Sequence, residues 1–173
     1  MSLILRVDHL KAMRSHAEQA YPNECCGLML GTFAQPSLKH LIEVRAVENA
    51  WDEHVARDVE ACDADDDLPL SKSHRYWVNP QEMLTVMREA RSRNLDIIGI
   101  YHSHPDHPAV PSECDRRLAW QQYSYIIISV QQGMAQDLQN WHLNEAHQFQ
   151  PEAIELAVSP PTSIITMSAF PTL

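Results

Sequence analysis

The sequence has no Cys-x-x-Cys pair, no basic run, no long apolar stretch and no internal repeat. Each absence removes a class of protein. The four cysteines stand at 25, 26, 62 and 114, and the adjacent Cys25 and Cys26 cannot easily join each other, so a secreted disulfide framework is not expected. Thirteen Lys and Arg face 23 Asp and Glu, a formal net charge of −10. The basic patch of a nucleic-acid binder is missing, and the acidity speaks mainly for solubility. No apolar run approaches the ~20 residues of a membrane-spanning helix. The opening "MSLILRVDHLKAM" lacks the small-residue cleavage site of a signal peptide. The reading is a soluble, cytoplasmic protein with reduced thiols.

What is present suffices for one folded unit. A chain of 173 residues, 45% hydrophobic, can bury a core and makes one domain, placed at 1–156 with a tail at 157–173. Residues 2–7 predict a strand. Residues 8–20 predict an amphipathic helix with Asp8 as N-cap and Leu10, Met13, Ala17 and Ala20 on one face. "CCGLMLGTF" (25–33) and "LKHLIEVRAVENA" (38–50) predict paired strands about an "AQPS" turn. Residues 52–72 differ, because "DVEACDADDD" packs six carboxylates into ten residues and reads as a solvated acidic insertion. It lacks the glycine and terminal glutamate of a calcium-binding loop. "HRYWV" (74–78) returns to strand composition. A helix is expected over about 80–93 with Met83, Leu84, Met87 and Ala90 on one face. A strand over 95–104, a short helix over 112–122 and a strand pair at 123–130 and 135–143 complete the pattern. Strands and helices mix without βαβ alternation, which predicts an α+β or mixed α/β domain with one central sheet flanked by helices.

The chemistry concentrates in "HSHPDHPAVPSECD" (102–115). Alternation along a strand puts Ile98, Ile100, His102 and His104 on one face, and Gly99, Tyr101 and Ser103 on the other. Two imidazoles about 6–7 Å apart along the backbone can converge on one ion. Asp115 supplies a third ligand if loop 105–111 folds back. Nitrogen and carboxylate ligands suit zinc, and three protein ligands leave one position open for water, the pattern of a catalytic site. Ser112 and Asp115 also fit a capping box at a helix start, and the two readings are compatible.

The spacing His102-x-His104, seven residues, Ser112, two residues, Asp115 resembles the H-x-H-x7-S-x2-D signature of the JAMM (MPN-plus) metalloproteases, of the small single-domain prokaryotic type. "PNECCGLMLG" resembles the family's glutamate-bearing segment, and "YWVNPQEM" and "IIGIYHSHP" resemble its surroundings, so the likeness covers roughly residues 5–145. The resemblance implies a cytidine-deaminase-like fold with a mostly antiparallel curved sheet. It implies one zinc on His102, His104 and Asp115, Glu24 as general base and Ser112 as oxyanion stabiliser. It implies hydrolysis after the C-terminal Gly-Gly of a ubiquitin-like or ThiS/MoaD-type carrier protein, and leaves a homodimer open. The alternative is a non-catalytic MPN scaffold, which typically lacks part of this ligand set. A zinc deaminase would need H-x-E and P-C-x-x-C, and neither is present. Glu18, within the first helix, Glu113, His107, Cys114, Ser103 and the four tryptophans fall outside the expected site.

Overall fold

In a computed structural model, residues 1–35, 38–52, 54–55 and 71–157 are described. Most of the acidic insertion and nearly all of the C-terminal tail lie outside them. The elements run β1 (Ser2–Leu5), α1 (Val7–Ala20), β2 (Cys26–Gln35), β3 (Leu38–Val47), α2 (Pro80–Ser92), β4 (Asp96–Pro105), α3 (Glu113–Leu118), β5 (Ser124–Gln131), β6 (Met134–Leu143), β7 (Phe149–Pro151) and β8 (Ala153–Leu156). This is the mixed α/β single domain the composition predicts.

The eight strands form one sheet in the order β7-β6-β5-β4-β2-β3-β1-β8. Four of the neighbouring pairs are antiparallel, while β4–β5, β1–β3 and β1–β8 are parallel. Only Glu152 separates β7 from β8 in the chain, yet these two strands hold the opposite ends of the sheet. The sheet therefore curls until its ends meet, as in a barrel. The sequence reading missed both short strands.

One face of the sheet packs Leu3, Met29, Leu41, Ile98, Tyr101, Ile126 and Ile128 against Met13 and Ala17 of α1. The other packs Leu28, Leu30, Val47, Ile97 and Tyr125 against Val86 and Ala90 of α2. Several expectations change. Arg6, not Asp8, is the N-cap of α1, because Val7 is already helical. Asp8 falls in the first turn, where its charge suits the helix N-terminus and Arg6 holds its carboxylate. Leu84 is 43% exposed and Val86 takes its place inward on α2. Segment 74–78 is in no strand; it lies between the insertion and α2 and pairs in no ladder.

The faces of β4 also differ from simple alternation. Met29 pairs with Gly99 but Leu30 pairs with Ile97, so Ile98 is an extra residue in β4. The bulge puts Ile98 on the α1 face with Tyr101, while Ile97 and Ile100 pack on the α2 face. The ligand-bearing end, His102 to His104, stays in register beyond it, with His102 opposite Cys26 and Ile127.

Candidate metal centre

The site forms at the end of β4 because of how β4 joins its neighbour. β4 and β5 are parallel, so the chain must cross back over the sheet between them. That crossover carries α3, and α3 returns Asp115 to the end of β4. His102 is fully buried and His104 is 9% exposed. Their Nε2 atoms are 3.0 Å apart. Asp115 lies 3.3 Å from His102 Nε2 through Oδ1 and 3.6 Å from His104 Nε2 through Oδ2. Tetrahedral coordination with bonds near 2.0–2.1 Å has edges of about 3.3 Å, so these separations bracket those a zinc ion requires. Among the described residues this is the one cluster of three His, Cys or acidic ligands close enough to hold a metal.

The surroundings prepare the ligands. His104 Nδ1 lies 2.9 Å from the Pro108 carbonyl, which can only accept, so in the neutral ring Nδ1 carries the proton and Nε2 is the nitrogen left to ligate a metal. The Tyr76 ring stacks on His102 with centroids 4.5 Å apart. Ser112 caps α3: its Oγ accepts from Asp115 N at 3.0 Å and donates to Asp115 Oδ2 at 2.8 Å, while Ser112 N donates to the same Oδ2 at 2.7 Å. Capping and ligand orientation thus coexist, since the cap sets where Asp115 points.

Electrostatics tie the cluster together. Burial alone would push the His104 pKa down, but Asp115 beside it, with Glu24 adding, carries it up to about 9. Burial would raise Asp115, yet His102 and His104 hold it well below the usual carboxylate range. Burial keeps His102 below its ordinary value. Glu24 is 6% exposed, and burial, with Asp115 adding to it, pushes its carboxyl up to about 8 against the pull of His104 and Arg75.

A cavity of about 490 Å³ brings Glu24, His104, Ser112 and Asp115 together. The sequence set is therefore assembled in one place. His107, Trp77, Trp120 and Cys114, which the sequence reading set aside, also line it, and so does His74. Cys25 and Cys26 are free and buried. Ser103 does face away from the ligands, yet it serves the site. Its Oγ accepts from Cys25 N at 2.8 Å, and its own N–H donates to Cys25 O at 3.2 Å, fixing the residue after Glu24. Nothing in the local sequence announces Tyr76, the Pro108 carbonyl or this use of Ser103, because each depends on strands distant in the chain. Glu18 bonds to Ala135 N, and Glu113 pairs with Arg116 and Arg117. Neither is among the residues lining the cavity.

Comparison with known proteins agrees with this geometry. Residues 6–144 match the family described as prokaryotic homologues of the JAB domain. The chain is similar to a desampylase of Haloferax volcanii, 28% identical over 132 residues that cover 73% of this chain and 80% of the relative. It is similar to a CysO-cysteine peptidase of Mycobacterium tuberculosis, 24% identical over 146 residues covering 82% of each. A solution structure of a Desulfitobacterium hafniense protein superposes with a TM-score of 0.70 at 26% identity, covering 92% of this chain and 94% of that one. The match runs from α1 to just past β6 and takes in the whole His102, His104 and Asp115 cluster; this chain belongs to the prokaryotic JAB family of the JAMM/MPN metallopeptidases.

Proposed function

We propose that this protein is a zinc-dependent peptidase that hydrolyses the amide bond after the C-terminal Gly-Gly of a ubiquitin-like or ThiS/MoaD-type carrier protein. The observation that carries this reading is the near-tetrahedral spacing of His102, His104 and Asp115, with buried Glu24 in the same cavity. His102, His104 and Asp115 would hold a zinc ion, which when bound would supply a Lewis acid and a water of pKa lowered toward ~7. Glu24 accepts a proton from the attacking water and returns it to the leaving amine. Burial suits it to that shuttle, because it raises the carboxyl from the ordinary carboxylate range toward neutrality, where it can both take and give a proton. Ser112 turns its hydroxyl from Asp115 toward the substrate oxygen as negative charge develops there. His104 keeps its Nδ1–H on Pro108 throughout.

The substrate class is supported by the relatives. Their names refer to a desampylase, a CysO-cysteine peptidase and, over a shorter match, a probable TtuB-protein conjugate cleaving protease of Thermus thermophilus. Glycine has no side chain, so a Gly-Gly tail can thread a narrow cleft and bring its carbonyl to the ligands. The test compares an intact carrier bearing a C-terminal extension with a free peptide of the same tail, read by intact mass. Cleavage should fall just after Gly-Gly, favour the folded carrier and stop when the last glycine is replaced by a bulky residue. Equal cleavage of the free peptide, or of the bulky variant, makes the protein a general peptidase instead.

A further inference from the structure

Glu24 lies two residues before β2 and outside the sheet's ladders, so its backbone must be held by something else. Its N–H donates to Lys72 O at 2.7 Å. Its carbonyl accepts from Asn49 Nδ2 at 3.0 Å, and the same Nδ2 donates to Arg75 O at 2.9 Å. Asn49 Oδ1 accepts from Trp51 N at 3.0 Å and Trp77 N at 3.2 Å. These four bonds use both donors and both lone pairs of the carboxamide. A flipped amide would set its oxygen against two carbonyls and its NH₂ against two N–H groups, so the network admits one orientation.

Three chain segments meet at this one side chain: the approach to β2, the exit from β3, and residues 75–77. The last carries Tyr76 onto His102 and places the Arg75 charge toward Glu24. A second bond, Ala50 N to Trp77 O at 2.9 Å, runs beside the clasp but does not reach Glu24. We propose that Asn49 is a positioning residue for the peptidase reaction: its carboxamide locks the Glu24 backbone to segment 75–77, and so holds the Glu24 carboxylate at its working distance from the His102, His104 and Asp115 cluster. The proposal rests on the reading of Glu24 as the general base. Asn49 does not line the cavity, so it acts through the segments it joins, on Glu24 directly and on residues 75–77 beside it.

The test uses the zinc-loaded full chain with Asn49→Ala, and with Asn49→Asp, which keeps the shape and the acceptors but removes both donors. Both variants should hold full zinc. With the carrier substrate, kcat should fall about 10–100-fold and KM should stay within about twofold, since a misplacement near 1 Å costs on the order of 10² in rate. In a Glu24→Gln background, Asn49→Ala should cost less than about twofold more, because the group it positions is already disabled. Crystal structures of zinc-loaded parent and Asn49→Asp give a readout without substrate, in which the Glu24 carboxylate should move away from the metal. The proposal is overturned by an unmoved Glu24, by loss of zinc, by unchanged kcat, or by losses that multiply with Glu24→Gln. If the parent does not cut the carrier, the substrate reading fails, and the crystallographic comparison still decides the role of Asn49.

Discussion

At the scale of single residues the site is a balance of protons against a metal. His104 without metal keeps a proton up to about pH 9, chiefly through Asp115. Zinc needs the unprotonated Nε2 and must displace that proton. Apparent zinc affinity should therefore fall as pH drops below 9, by about tenfold per unit for the one proton displaced. Chelator competition at pH 6 and pH 8 measures this, and equal affinities at the two would show that no ligand proton is displaced over that range. His102→Ala and His104→Ala should each lose the metal. Glu24→Gln should retain it and the fold while losing about 10²–10⁴ in rate, the usual worth of general acid–base catalysis. Full turnover by the zinc-loaded Glu24→Gln protein would hand the base's role to another group. The four residues His102, His104, Ser112 and Asp115 could be read from spacing because a strand and a short helix each present side chains at fixed intervals. Asn49 and Ser103 could not, since their work is to bond backbone atoms far away in the chain.

At the scale of elements, β4 and α3 do most of the placing. The helix α3 has only six residues, so its cap matters. Ser112 Oγ accepts from Asp115 N and Ser112 N donates to Asp115 Oδ2, which closes the capping box, and the Ser112 hydroxyl adds a third bond to Oδ2. Ser112→Ala should cost about 1 kcal/mol of stability, the usual worth of an N-cap, and weaken zinc binding as Asp115 loses its hold. Urea unfolding and zinc titration of the same variant measure the two effects, and intact zinc affinity would show that the Ser112 backbone N–H alone orients Asp115. The bulge at Ile98 was hidden in the sequence because "LDIIGIY" is apolar on both sides of the strand. A run buried on two faces does not show which residue is the extra one.

At the scale of the whole molecule the curl of the sheet needs a fastening. Glu152 sits between the two end strands, and its carboxylate accepts from Ser124 Oγ and, at 3.1 Å, from Asn140 Nδ2. Lys39 Nζ lies 3.7 Å from Glu152 Oε1 and donates to Ser124 Oγ at 2.9 Å. Both charged side chains are almost wholly buried. Lys39→Met leaves a buried carboxylate without its cation and should cost about 3–5 kcal/mol. Lys39→Met with Glu152→Gln should recover most of that loss, as read by urea denaturation, and no recovery would mean that packing, not charge, is what Lys39 supplies. If zinc binds the folded state alone, a hundredfold excess over Kd should add about 2.7 kcal/mol, or roughly 5–10 °C in Tm, to a single cooperative transition. His102→Ala should show no such rise.

The sequence by itself determined the site's residue types, their spacing, most strands and helices, and the mixed α/β class, because each depends on local periodicity or on a short motif. Tertiary structure decided which strands are neighbours, and with that everything else. The parallel placement of β5 beside β4 forces the crossover that returns Asp115 to the histidines. The splitting of residues 149–156 between the two ends of the sheet closes it around buried Lys39 and Glu152. The meeting of three distant segments at Asn49 sets the backbone of Glu24. A local pattern carries no record of which distant strand it will pair with, so these contacts became visible only once the chain was folded.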